Sequence, residues 1–174
     1  ALADMTGRFD LAVRSLSKVL AIRGQVLPAT LSDVTLYAEL TDGRVVKGES
    51  KIPLTNGTIK RVYLKPSRCL PLAGALAAIA EADGVVLGPG SLYTSIIPNL
   101  LVKGIPEALA RTPATKIYVC NVMTQPGETV GYTASSHLRA IINHTGKLLD
   151  YVVLNTGQVP LRLRSRYRQE GAEP

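Results

Sequence analysis

The stretch Leu87–Ile105, LGPGSLYTSIIPNLLVKGI, decides how this chain is read. The apolar run Gly84-Val85-Val86-Leu87 that leads into it predicts a short buried strand. Gly88-Pro89-Gly90-Ser91 ends that strand abruptly, and polar and apolar residues then return at helical spacing. A strand, a glycine turn and a helix start together suit an anion. The glycines admit close backbone approach, and the first free N–H groups of the helix point at the ligand. In open α/β sheets such turns lie at the carboxyl ends of strands, where ligands sit. The expectation is therefore a phosphate or nucleotide site, with backbone N–H groups joined by the hydroxyls of Ser91, Thr94 and Ser95. The plainer alternative is an ordinary turn in which Ser91 caps the helix. The spacing and lysine of a Walker loop are absent, and so is the dinucleotide fingerprint. Tyr93 is read either as a base-stacking ring or as a ring packed against the sheet.

Around this stretch, from Pro71 onward, helical and extended patterns alternate. Leu72, Leu76 and Ile79 share a helix face behind Pro71. One or two helices are expected up to Arg111, a strand at Lys116–Asn121, a helix near Ser135–Asn143, a strand at Tyr151–Asn155 and a helical segment from Pro160. Such βαβ alternation implies a parallel sheet with right-handed crossovers. The earlier part reads differently. Phe9, Val13, Leu16 and Leu20 mark one face of a helix over Arg8–Ile22, with Gly24 as its stop. Thr35–Thr41 and Arg44–Gly48 are extended runs around Asp42-Gly43, a hairpin signal. A third run, Ile59–Leu64, follows Asn56-Gly57. Residues 26–65 thus form a small antiparallel insertion.

The second candidate loop, Asn121–Tyr132, follows the next strand at the same sheet edge. Asn121, Thr124, Gln125, Glu128 and Thr129 can read a polar ligand, and Gln125-Pro126-Gly127 forms a turn. The alternative is a solvated loop. His137, near a helix start, is a candidate contact for an anion. His144, two turns on, is placed to cap the helix end electrostatically. Their spacing is poor for a metal pair. Asn155-Thr156-Gly157 is a third, weaker ligand-contact candidate. No catalytic set of nucleophile, base and orienting group can be assembled, and no metal ligand is assigned.

The 174 residues suit one domain, and at 46% hydrophobic residues, without an apolar stretch long enough to span a bilayer, a globular protein with no membrane insertion is expected. No signal peptide is read at the start. Cys69 and Cys120 form neither a disulfide framework nor a zinc spacing, which suits a cytoplasmic protein. The net charge of +7 includes Arg162, Arg164, Arg166 and Arg168, but no recognised motif or stacking platform favours nucleic acid as a partner.

The strings GPGSLYTSIIPNLLVKGI (88–105), YVCNVMTQPGETVGY (118–132) and LAIRGQVLPAT (20–30) resemble the YvcK, or gluconeogenesis factor (UPF0052), family of bacterial proteins. That family is related to the CofD 2-phospho-L-lactate transferases. The resemblance runs from about Thr6 to Glu170. It implies an α/β fold, a Rossmann-like three-layer sandwich with a mostly parallel sheet. It also implies a UDP-sugar ligand rather than a fixed cofactor, and a regulatory role in cell shape and peptidoglycan synthesis on gluconeogenic carbon sources, without turnover. A CofD-like transferase and a pure assembly module are the alternatives. By motif, Gly88, Pro89, Gly90, Ser91, Thr94 and Ser95 would line the phosphate or sugar side. Asn121, Thr124, Gln125, Pro126, Gly127 and Glu128 would lie on the neighbouring loop. The family's GGGTG and ADDGG motifs and a later RHD-like motif are absent from this sequence, and Ser136 stands where an aspartate is expected. The resemblance therefore implies a partial fold, one domain over residues 1–174, with exposed apolar surface that favours a homo-oligomer.

Overall fold

In Thr35–Leu40 (TLYAEL) every second residue is apolar and buried, and the run forms strand β1. Asp42 and Gly43 turn the chain: Leu40 N–H donates to the Arg44 carbonyl (2.9 Å) and Arg44 N–H to Asp42 Oδ1 (3.0 Å). Strand β2, Val45–Lys47, then pairs antiparallel with β1. Strand β3, Ile59–Lys65, pairs on the other side, giving the order β2-β1-β3. On the outer face of this sheet Tyr37 and Tyr63 stack at 5.5 Å, with Lys65 Nζ 4.9 Å from the Tyr37 ring. The computed structural model of the protein describes residues 24–174, so the helix expected over Arg8–Ile22 lies outside the described residues.

The second sheet follows the alternation expected from sequence. Helix α1 spans Ala73–Ala80, and strand β4 spans Gly84–Leu87. Past the glycine turn, a wide π-helical turn, Leu92–Ile96, runs into helix α2, Ile97–Leu100. Pro98 has no N–H to give the Thr94 carbonyl, and its ring would crowd that group in a regular helix. The break falls there, with Ile96 N–H reaching back to the Ser91 carbonyl at 3.0 Å. Helix α3 (Ile105–Arg111), strand β5 (Thr115–Val119), helix α4 (Ala134–Thr145), strand β6 (Tyr151–Val153) and helix α5 (Leu161–Gln169) complete the order. The strands β4-β5-β6 are parallel, in that order. This is an α/β, Rossmann-like partial fold with an antiparallel insertion. The arginine series at 162–168 is helical and exposed.

One core joins the two sheets, with Ala38, Leu40 and Val62 from the first and Leu87, Tyr118 and Ile141 from the second part. Burial along the parallel strands alternates, so the run expected to be buried throughout is not. Leu87 and Tyr118 face the core, whereas Val86 is 59% exposed and Tyr151 65%. No helix among the described residues is long and apolar enough to cross a membrane.

Candidate functional site

The site begins where β4 and β5 end side by side. Gly88 holds φ +84°, and a Cβ there would stand 2.8 Å from the Val119 carbonyl oxygen. A side chain at this position would thus push the two strand ends apart. Two residues past β5, Asn121 spans the gap. Its Oδ1 accepts the Gly90 N–H (3.2 Å), and its Nδ2 donates to the Gly90 carbonyl (2.9 Å). The two expected loops are therefore tied together, and one expected anion donor, the Gly90 N–H, is already engaged.

The free N–H at the start of the π turn is also engaged. Ser91 makes no side-chain cap. Instead Glu128 Oε2 accepts the Tyr93 N–H (2.9 Å), while Oε1 accepts from Thr94 Oγ1 (2.6 Å) and from Gln125 Nε2 (3.2 Å). The carboxylate is 5% exposed and sits at a helix start, where negative charge is favoured. Thr94 and Glu128 are thus turned into the fold, and Gln125 is bonded to this cluster. Gly127 closes the 125–128 turn at φ +75°, so tightly that a Cβ would stand 1.8 Å from the Pro53 carbonyl oxygen. Pro89, Ser95 and Pro126 are exposed, and Ser91 is half-buried.

A concave surface opens beside Asn121, at the carboxyl edge of β5 and β6. This cleft, about 260 Å³, is walled by Cys120–Thr124, Tyr132–Ala134, His137, Leu154, Asn155 and Pro174. Of the residues expected from sequence it gathers Asn121, Thr124 and His137, with Asn155 from the third candidate turn. Thr124 is pinned by the backbone of Glu173, donating its N–H to that carbonyl (2.6 Å) and accepting the Glu173 N–H on Oγ1 (2.8 Å). A second cleft of about 550 Å³ continues past the shared residues Val122, Asn155 and Pro174 to Gly157–Leu161 and Arg164. The glycine turn itself is absent from the walls of both, and reaches the first only through Asn121.

His137 stands in the first turn of α4, which Thr133 caps by accepting the Ser136 N–H on its hydroxyl (3.2 Å). The imidazole is 3% exposed, bonds the Tyr118 hydroxyl through Nδ1 (3.0 Å) and meets the Tyr132 ring edge-on at 5.6 Å. Burial pushes its pKa below the ordinary value of 6.5, so it is neutral at pH 7. Burial likewise pushes the Cys120 thiol up, and raises Tyr118 and Tyr93 well above the usual phenol range. Tyr93 is 3% exposed, with its hydroxyl on that of Tyr132 (2.8 Å). Its ring is packed in the core and out of reach of a base. Cys120, Tyr132 and Thr133 join the wall without having been singled out from sequence. Strand alternation could have found Cys120, which lies two residues beyond Tyr118 on the same side.

His144 does not cap its helix as a cation. Its Nδ1 donates to the Ala140 carbonyl (2.6 Å), and its Nε2 accepts the Val62 N–H of β3 (3.0 Å). Among the described residues no group of three His, Cys, Asp or Glu side chains could hold a metal ion.

The model of the family described as 2-phospho-L-lactate transferase CofD matches residues 1–174. The gluconeogenesis factor of Bacillus subtilis (strain 168) is 49% identical over 175 residues, which is all of this chain and 55% of that protein. A putative gluconeogenesis factor of Nostoc is 52% identical over 176 residues, covering all of this chain and 39% of its own length. The crystal structure of a UPF0052 family member from Bacillus halodurans superposes with a TM-score of 0.95 at 48% identity, over 99% of this chain and 56% of that one. The chain thus spans about half the length of most of the relatives it matches.

Proposed function

This chain belongs to the CofD family and is similar to its gluconeogenesis factors, and from that membership we propose that it binds a nucleotide sugar of the UDP type without turning it over. In this reading the bound state is the signal, and it supports cell shape and peptidoglycan synthesis during growth on gluconeogenic carbon. The observation that carries the reading is the tie between Asn121 and Gly90. It brings the two loops of the family motif to one strand edge, and it does so in the wall of a cleft. Open α/β sheets bind ligands at such an edge. The wall also suits a sugar or a base: Asn121, Thr124, Thr133 and Asn155 are polar, neutral and set among apolar neighbours.

Calorimetric titration of the chain with UDP-N-acetylglucosamine, set against GDP with Mg²⁺, tests this. Selective heat from the UDP-sugar is expected. Selective binding of GDP with Mg²⁺ would replace the reading with a CofD-like transferase, and binding of neither would favour an assembly module.

A further inference from the structure

The His137 side chain carries an unspent polar atom in the wall of the first cleft. Its Nδ1 is engaged by Tyr118, and Nε2 meets no partner among the described residues. Yet no buried side-chain nitrogen or oxygen among those residues lacks a partner. Nε2 is therefore reached by solvent, through the cleft that His137 helps to line. The rest of the ring is closed in, 3% exposed overall and braced edge-on by Tyr132.

Which nitrogen holds the hydrogen follows from Tyr118. Its side chain is 0% exposed. A phenolic hydrogen buried without an acceptor is costly, on the order of 1–3 kcal/mol. The hydrogen-bond partner of the Tyr118 oxygen is Nδ1 of His137. When Tyr118 donates, Nδ1 accepts, and the hydrogen of the neutral imidazole sits on Nε2. The other tautomer would aim a second donor at the phenol and leave the phenolic hydrogen only the neighbouring Cys120 sulfur, a weak acceptor.

We propose that Tyr118 is a positioning residue, holding His137 as a neutral donor whose Nε2–H reads an acceptor oxygen on the uncharged part of the ligand. The walls agree with that chemistry. Among the described residues lining this cleft, none has a charged side chain. Asn121 has both amide groups committed to Gly90. A sugar hydroxyl, an acetamido carbonyl or a base carbonyl fits here, and a phosphate does not. The expectation that His137 meets an anion is replaced by a neutral hydrogen bond. This inference rests on the nucleotide-sugar reading for the identity of the ligand, but not for the tautomer.

The test has two parts. Nitrogen-15 NMR of His137 in the ligand-free chain at neutral pH is expected to show hydrogen on Nε2 alone. The Tyr118→Phe variant is expected to show a mixture of tautomers. Hydrogen on Nδ1 in the parent chain, or an unchanged spectrum in a folded Tyr118→Phe, would overturn the proposal. Titration with UDP-N-acetylglucosamine then reads the donor. His137→Phe is expected to weaken binding about tenfold, the size of one lost hydrogen bond. His137→Gln, whose amide nitrogen can take the place of Nε2, is expected to restore most of it. Equal affinity in His137→Phe, or no rescue by His137→Gln, would remove the donor role, and these two variants decide it should Tyr118→Phe fail to fold. Absence of UDP-sugar binding by the parent chain would sink the nucleotide-sugar reading and leave the tautomer result to judge Tyr118.

Discussion

Gly127 and Gly90 sit in the two loops that meet at the strand edge, and one added carbon separates their roles. A Cβ on Gly127 would stand 1.8 Å from the Pro53 carbonyl oxygen, at a φ of +75°. Backbone would have to move on both sides. Gly127→Ala is expected to cost about 3 kcal/mol or more, combining overpacking with left-handed strain. A Cβ on Gly90 meets Ser95 Cβ at 3.7 Å, an ordinary contact. Gly90→Ala is expected to stay within about 1 kcal/mol of the parent. Urea unfolding of the two variants checks the contrast, and equal midpoints would refute it. The need for glycine in both loops was legible, because a turn after a strand invites it. The reason at Gly127 was not, since Pro53 is far away in sequence. Glu128 is the same case. It reads as a ligand-facing carboxylate in a polar loop, but it serves the Tyr93 N–H at a distance of 35 residues.

At the scale of elements, local signals did well and long-range ones were silent. Asp42-Gly43 announced the β1–β2 hairpin, and the apolar run 84–87 matched β4 to the residue. The π turn was hidden, although Pro98 supplies its cause in retrospect. The contact that joins α4 to β3 left no local trace, since His144 and Val62 are 82 residues apart. There the histidine covers an N–H on the free edge of the antiparallel sheet, and it can do so only while neutral. A hydrogen on Nε2 would face the Val62 N–H. Burial, with the Arg61 charge nearby, lowers the His144 pKa from 6.5 despite the Ala140 carbonyl, and burial lowers that of His137. The unfolded chain therefore takes up protons first as pH falls. The stability due to neutral histidine is complete above pH 6.5, and it is lost as pH drops toward and through the lowered folded values. Thermal melts from pH 7.5 to 5 are expected to show this loss, with a shallower slope in His144→Gln. An identical slope in that variant would detach His144 from the effect.

At the scale of the whole molecule, the parallel sheet is unevenly covered. The register sets Val86 beside Ile117, Ile117 beside Tyr151, and Val119 beside Val153, on the face opposite Leu87 and Tyr118. Val86 is 59% exposed, Tyr151 65% and Val153 51%. Parallel sheets are ordinarily covered on both faces. Sequence periodicity could not reveal this, because a run such as GVVL reads the same whether one face is buried or two. In a solution of this chain alone, a second copy is the apolar surface at hand. Covering each of these side chains contributes on the order of 1 kcal/mol. The chain is expected to self-associate as its concentration rises, and Tyr151→Lys combined with Val153→Lys should return it to monomer with little loss of fold, because both positions lie on the open face. Light scattering coupled to size exclusion reads the outcome directly. A monomer at every concentration would show that the open face does not self-pair, and a double variant that still associates would move the contact to another surface.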